Sequence, residues 1–167
     1  GSQFMRLCGS TGVALPRGVC PGSVSDQGPI FVCTPAASWT LLSKFAHRRS
    51  DLVFVGNGLA PVQQDATVVV PHYAVLKVGA KPIAAADAPP TYVSGKYASL
   101  VKKYLQRDGI RNVEILADPN QVRIKAAQKM LWASCMWLLC HAQTLPVKVM
   151  QVHEDHELQL EALVREL

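Results

Sequence analysis

Two short apolar runs, Pro29-Ile30-Phe31-Val32-Cys33 and Leu52-Val53-Phe54-Val55, set the strongest limit on how this chain folds, and Thr67-Val68-Val69-Val70 reads as a third strand. Each has the length of one strand and carries no charge. A strand that is apolar at every position buries both faces, the pattern of a parallel sheet covered on either side. After the first run, Thr34 and Pro35 open a helix, because a threonine oxygen accepts an orphan backbone N–H and proline is tolerated at the first helical position. The spacing predicts that this helix reaches about His47 and buries Leu41, Leu42 and Phe45. Strand, helix and strand so close together make a right-handed βαβ crossover the economical connection.

Further along, Tyr73–Val78 and Thr91–Ser94 read as the arms of an antiparallel pair joined by a long Gly, Ala and Pro-rich stretch. Tyr97, Leu100, Val101, Tyr104 and Leu105 then repeat at helical spacing, and Gly109 stands where a helix cap is needed. Asn112–Ala117 returns as a strand. From Asp118-Pro119, a second cap-plus-proline start, the pattern turns helical, which puts a domain junction near residue 118. The first helix spans Pro119–Ala142 and is apolar on all sides beyond Lys129, so its second half is expected to be surrounded by other helices. Pro146 ends or kinks it. A last helical segment, Val147–Leu167, carries Leu160, Leu163, Val164 and Leu167 on one side.

The composition, 49% hydrophobic and 17% charged, excludes a disordered chain. Seventeen basic against 12 acidic residues give a formal charge of +5, scattered between apolar runs. That surplus permits nucleic-acid binding without selecting for it. Cys8, Cys20, Cys33, Cys135 and Cys140 are odd in number and form no CxxC pair, so an intracellular, reducing compartment is expected, cytoplasmic or organellar. Gly1-Ser2-Gln3-Phe4 ahead of Met5 reads as a vector remnant. Residues 5–28 read as loop, with one short strand around Thr11–Leu15. No signal peptide is visible, and Met130–Cys140 falls short of the roughly 20 apolar residues that a membrane-spanning helix needs. No membrane partner is expected.

Ligands of an open parallel sheet collect outside the carboxyl ends of its strands. That rule brings Thr34-Pro35-Ala36 and Gly56-Asn57-Gly58 to one rim, where Asn57 supplies a donor and an acceptor and its flanking glycines admit a ligand to the backbone. Asn-Gly is equally a turn dipeptide that needs no ligand. Lys129 opens the apolar half of the long helix. Partial burial there lowers its pKa and suits it to giving a proton to a substrate oxygen, whereas a snorkelling lysine only covers apolar surface.

Other groupings are weaker. His153 and His156 stand three apart among Glu154, Asp155 and Glu157, but spacing supplies no third ligand, so no metal site is assigned. Arg48, Arg49, Lys96, Lys102, Lys103, Arg107 and Arg111 interleave with Tyr92, Tyr97 and Tyr104, as in proteins that bind single-stranded nucleic acid. The helical stripe accounts for Tyr97 and Tyr104 as core instead. Cys33 reads as inert packing, and Trp39, Trp132 and Trp137 as core or interface. A long helix with one short partner suggests missing residues or an oligomer.

Taken in order, Ile30-Phe31-Val32-Cys33-Thr34, Asp51-Leu52-Val53-Phe54-Val55-Gly56-Asn57-Gly58-Leu59, Tyr92-Val93-Ser94-Gly95 and Gln128-Lys129-Met130-Leu131-Trp132 resemble ketopantoate reductase and its relatives. The resemblance covers about residues 29–167. It implies an N-terminal dinucleotide-binding domain and a helical domain like that of 6-phosphogluconate dehydrogenase. It also implies NADP as cofactor, with Thr34, Gly56, Asn57 and Gly58 at the cofactor, and Asn57 and Lys129 as catalytic residues. Lys129 matches the lysine that protonates the forming alcohol during reduction of a small 2-keto acid.

The chain departs from that pattern in several places. The family's phosphate-holding GxGxxG loop is not supplied by Cys8-Gly9-Ser10-Thr11-Gly12. Pro35 and Ala36 stand where relatives place a lysine, and Ala133 where an asparagine is expected one turn after Lys129. Neither Glu157 nor Glu161 aligns to the family's glutamate. The expectation is therefore an α/β chain: a truncated, partial Rossmann-like mixed sheet over residues 5–117, followed by an incomplete all-helical domain over 118–167. It is either a piece of an NAD(P)-dependent oxidoreductase or a non-catalytic interaction or scaffold module derived from that fold, with a protein partner, a second copy or nucleic acid in place of substrate.

Overall fold

The computed structural model describes residues 27–34, 42, 45, 47–59, 65–77, 80–142, 151 and 154–166. Its first compact unit runs to Lys125 and its second from Ala126. The fold is α/β. Strands β1 (Ile30–Val32), β2 (Leu52–Val55), β3 (Thr67–Val70), β4 (Thr91–Ser94) and β5 (Val113–Ile115) form one sheet, in sequential order. β1, β2 and β3 are mutually parallel, β4 runs antiparallel to β3, and β5 is parallel to β4.

The unbroken apolar character of β2 has a direct cause in this sheet, since it lies between two neighbours with both faces covered. Leu52 and Phe54 enter a cluster with Val32 and Ala66, against which Leu42 and Phe45 pack. Val53, on the opposite face by the alternation of the pleat, joins Val69, Val93, Val101, Leu105 and Val113. Leu42 and Phe45 thus pack as expected. The expected helix that carries them lies mostly outside the described residues, and the chain at 47–51 makes a tight 3-10 turn.

Helix α1 (Ala98–Arg107) supplies the cover for that second face. Val101 and Leu105 are fully buried, with Tyr97 and Tyr104 packed beside them. The helix ends as the sequence requires: Gly109 takes φ +101°, and the Ile110 N–H donates to the Leu105 carbonyl at 2.9 Å, the six-to-one bond of a Schellman end.

One expected pairing is corrected. Tyr73–Val78 is not the partner of Thr91–Ser94, because β4 pairs with β3 in the register Val68↔Ser94, Val69↔Val93 and Val70↔Tyr92. The stretch after β3 forms only a small bridge of its own, Ala74↔Ile83.

Helix α2 (Pro119–Ala142) starts at the expected cap, where Asp118 Oδ1 accepts the Asn120 N–H at 2.9 Å. In the second unit, Met136 and Leu139 are buried with Cys140, Leu160 and Leu163 against them, the last two from helix α3 (Glu157–Glu166). The expectation that the apolar half of α2 is surrounded on all sides does not hold among the described residues. Trp132 is 53% exposed, Trp137 78% and Leu138 57%. No described helix is long and apolar enough to cross a membrane.

Candidate functional site

The carboxyl ends of β1, β2 and β3 lie side by side because the three strands are parallel neighbours. The register Val32↔Phe54 carries the chain out through Cys33 and Thr34 on one strand and through Val55 and Gly56 on the next. Thr34 and Gly56-Asn57-Gly58 therefore share one edge, as expected. Thr34 and Asn57 are exposed, Gly56 and Gly58 are half-buried, and a Cβ added at either glycine would meet no atom within 4 Å. The sheet order does not reverse among these five strands, so the rim is a sheet edge and not a crevice between diverging helices.

β3 leaves the sheet at the same edge through Pro71 and His72, and this group escaped the sequence reading. The His72 N–H donates to Thr91 Oγ1 at 3.1 Å, which fixes the backbone as it turns away. The His72 ring stands edge-on to Tyr92, 5.7 Å between centroids at 89°. Lys125, in the early turns of α2, holds its ammonium 5.4 Å from the centre of the Tyr92 ring, a cation–π contact. The rule that located Asn57 applies equally to a histidine just past an apolar run. Tyr92 and Lys125 join it only once the β3–β4 register is known.

Lys129 belongs to the second unit. It is half-buried, and burial pushes its ammonium below the ordinary lysine value. Burial pushes the Cys33 thiol up, which leaves it inert packing. Cys8–Gly12, which departs from the family's phosphate loop, and Pro35, Ala36, Trp39 and His153 lie outside the described residues. His156 Nδ1 lies 2.9 Å from Gln159 Oε1, and no three His, Cys, Asp or Glu side chains gather for a metal among the described residues.

The opposite edge of the sheet carries the densest polar cluster. Asp51, just before β2, accepts hydrogen bonds from Lys96 Nζ and Tyr97 Oη at 2.8 Å each on Oδ1, and from Arg48 Nε at 3.0 Å on Oδ2. Arg48 also donates to the Gly28 carbonyl at 2.8 Å. The hydrogen bond from Lys96 first, then that from Tyr97, holds the Asp51 carboxyl down at about 2. These bonds tie the start of β2 to the β4–α1 turn. The cluster is a structural joint.

No family model matches this chain, and neither a curated protein nor a solved structure is detectably similar to it.

Proposed function

We propose that the chain is an NAD(P)-dependent oxidoreductase-like protein related to the ketopantoate reductases, acting on a small 2-keto acid. The observation that supports this reading best is the common carboxyl edge of β1 and β2, with Thr34 and the Gly56-Asn57-Gly58 turn on it. The residues fit the nicotinamide end of such a cofactor to this extent: the Cβ positions of Gly56 and Gly58 are open, and Asn57 offers an amide to a carbonyl oxygen. The bound cofactor supplies a hydride to the keto carbon. Asn57 would orient the carbonyl; the resemblance gives the proton-donor role to Lys129, which burial makes a stronger acid than an ordinary lysine.

NADPH oxidation by the purified chain over a series of 2-keto acids tests this directly. Turnover is expected, and Lys129→Ala is expected to lower kcat by about 100-fold, the low end of what a positioned acid contributes. An absence of turnover with every keto acid would remove the catalytic reading.

A second reading has its own observation. Trp132, Trp137 and Leu138 expose apolar surface on the second unit, as a protein-binding or self-associating scaffold module would. Nucleic acid is the less favoured partner, because Tyr97 and Tyr104 are packed against the core and not presented for stacking on bases.

A further inference from the structure

We infer that the outer face of α2 pairs with the same face of a second copy of this chain, antiparallel about a two-fold axis at Ser134. The inference does not use the reductase reading. It deepens the second reading, on which it rests, by naming the partner.

The argument starts from the helical period. Ala127, Leu131, Ser134, Leu138 and His141 follow one another at alternating intervals of four and three, so they line one side of α2, with Met130 and Trp137 along its flank. All of them belong to the second unit. Met136, Leu139 and Cys140, which pack with Leu160 and Leu163 of α3, fall about half a turn round the helix, on the opposite side. The contact with α3 therefore leaves the stripe open: Ala127, Ser134 and His141 are exposed, Met130 and Leu131 are half-buried, and Trp137 and Leu138 stand largely in solvent. No Asp, Glu, Lys or Arg occurs in α2 beyond Lys129. A helix face that stays in water is normally charged or polar, and this one is neither along most of its length.

The stripe is complementary to itself. Turning one copy over about Ser134 sets Trp137 and Leu138 against the partner's Leu131 and the partner's Met130, and His141 against the partner's Ala127. The small Ser134 side chain then meets its own copy at the axis, where two helices packed this way come closest. A face without formal charge has none to repel an identical face, and charge is depleted at the centre of protein interfaces in general. Area sets the strength. Trp137 leaves about 200 Å² uncovered, and the stripe as a whole on the order of 400 Å² of apolar surface per copy, close to the ~57% apolar share of the roughly 800 Å² that a standard interface takes from each partner. A contact at the small end of that class is expected to dissociate on the order of 10 μM, so unfolding followed well below that concentration reads the monomer.

Sedimentation velocity of the full chain from about 1 to 200 μM tests the pairing. The wild type is expected to pass from monomer to dimer across that range and to stop there, because a two-fold contact closes on itself. Ser134→Glu and Ser134→Lys each set like charges against one another at the axis, and each is expected to weaken the dimer more than about tenfold. Mixed in equal amounts, the two variants set opposite charges there, and the dimer is expected to return, which a misfolded variant would not allow. A wild type that stays monomeric at the top of the range overturns the inference and leaves the stripe to a different protein. Association that neither substitution alters overturns it by placing the contact elsewhere, and growth beyond the dimer contradicts a closed two-fold pair. A mixture as monomeric as its components overturns the pairing about Ser134. None of these outcomes bears on NADPH binding at the Asn57 edge, which titration reads separately.

Discussion

A Cβ at position 95 would stand 2.7 Å from the Ala66 carbonyl oxygen and 2.7 Å from Thr67 Cα, and Gly95 holds φ at +106°. Both obstacles are backbone at the start of β3, so neither yields without moving a strand. Gly95→Ala is expected to cost about 3 kcal/mol or more in denaturant unfolding, from positive φ and overlap together. A loss below about 1 kcal/mol would contradict that. Nearby, Asp51 has its carboxyl held at about 2, below its ordinary value of 3.8. A carboxylate with a lowered folded pKa stabilises the fold at all pH values above its unfolded value, and the contribution disappears as pH falls through the folded one. Wild-type stability should therefore fall between about pH 4 and pH 2 more steeply than that of Asp51→Asn. At neutral pH the variant should be less stable by about 1–2 kcal/mol, a figure reduced because Lys96 is solvent-exposed. Parallel acid slopes in the two proteins would remove Asp51 from this role.

Among elements, α1 was legible because its stripe, its missing helix breakers and its glycine stop all agree, and Tyr97 and Tyr104 pack where the period puts them. The sheet was legible strand by strand but not in all its pairings. Apolar runs mark strands without naming neighbours, which is how Thr91–Ser94 came to be expected beside Tyr73–Val78 instead of β3. The apolar half of α2 misled for a different reason: hydrophobicity on every side indicates that a surface needs covering, not that these residues cover it. Leu105, fully buried, and Trp137, 78% exposed, separate the two cases. Leu105→Ala is expected to lower stability by about 2–4 kcal/mol, and Trp137→Ser to stay within about 0.5 kcal/mol, both read by denaturant unfolding. A large loss at Trp137 would show that its surface is covered in solution, and sedimentation of both proteins would identify self-association as the cause.

For the whole molecule, a sequential five-stranded mixed sheet sets two edges with different tasks. One carries the Asp51 cluster, a structural joint. The other presents Thr34, Asn57 and His72 from three neighbouring strands. The positions of the first two at this edge were legible because each follows directly on a run read as a strand. The contacts of His72 with Tyr92 and of Tyr92 with Lys125 were not, since they depend on a strand register and on a helix well downstream. The central claim is that the Asn57 edge binds a dinucleotide, and calorimetric titration of wild type and Asn57→Ala with NADPH at moderate salt tests it most directly. Saturable binding that weakens about tenfold in the variant is the predicted result. No binding at millimolar NADPH, or equal affinity in the two proteins, would contradict it.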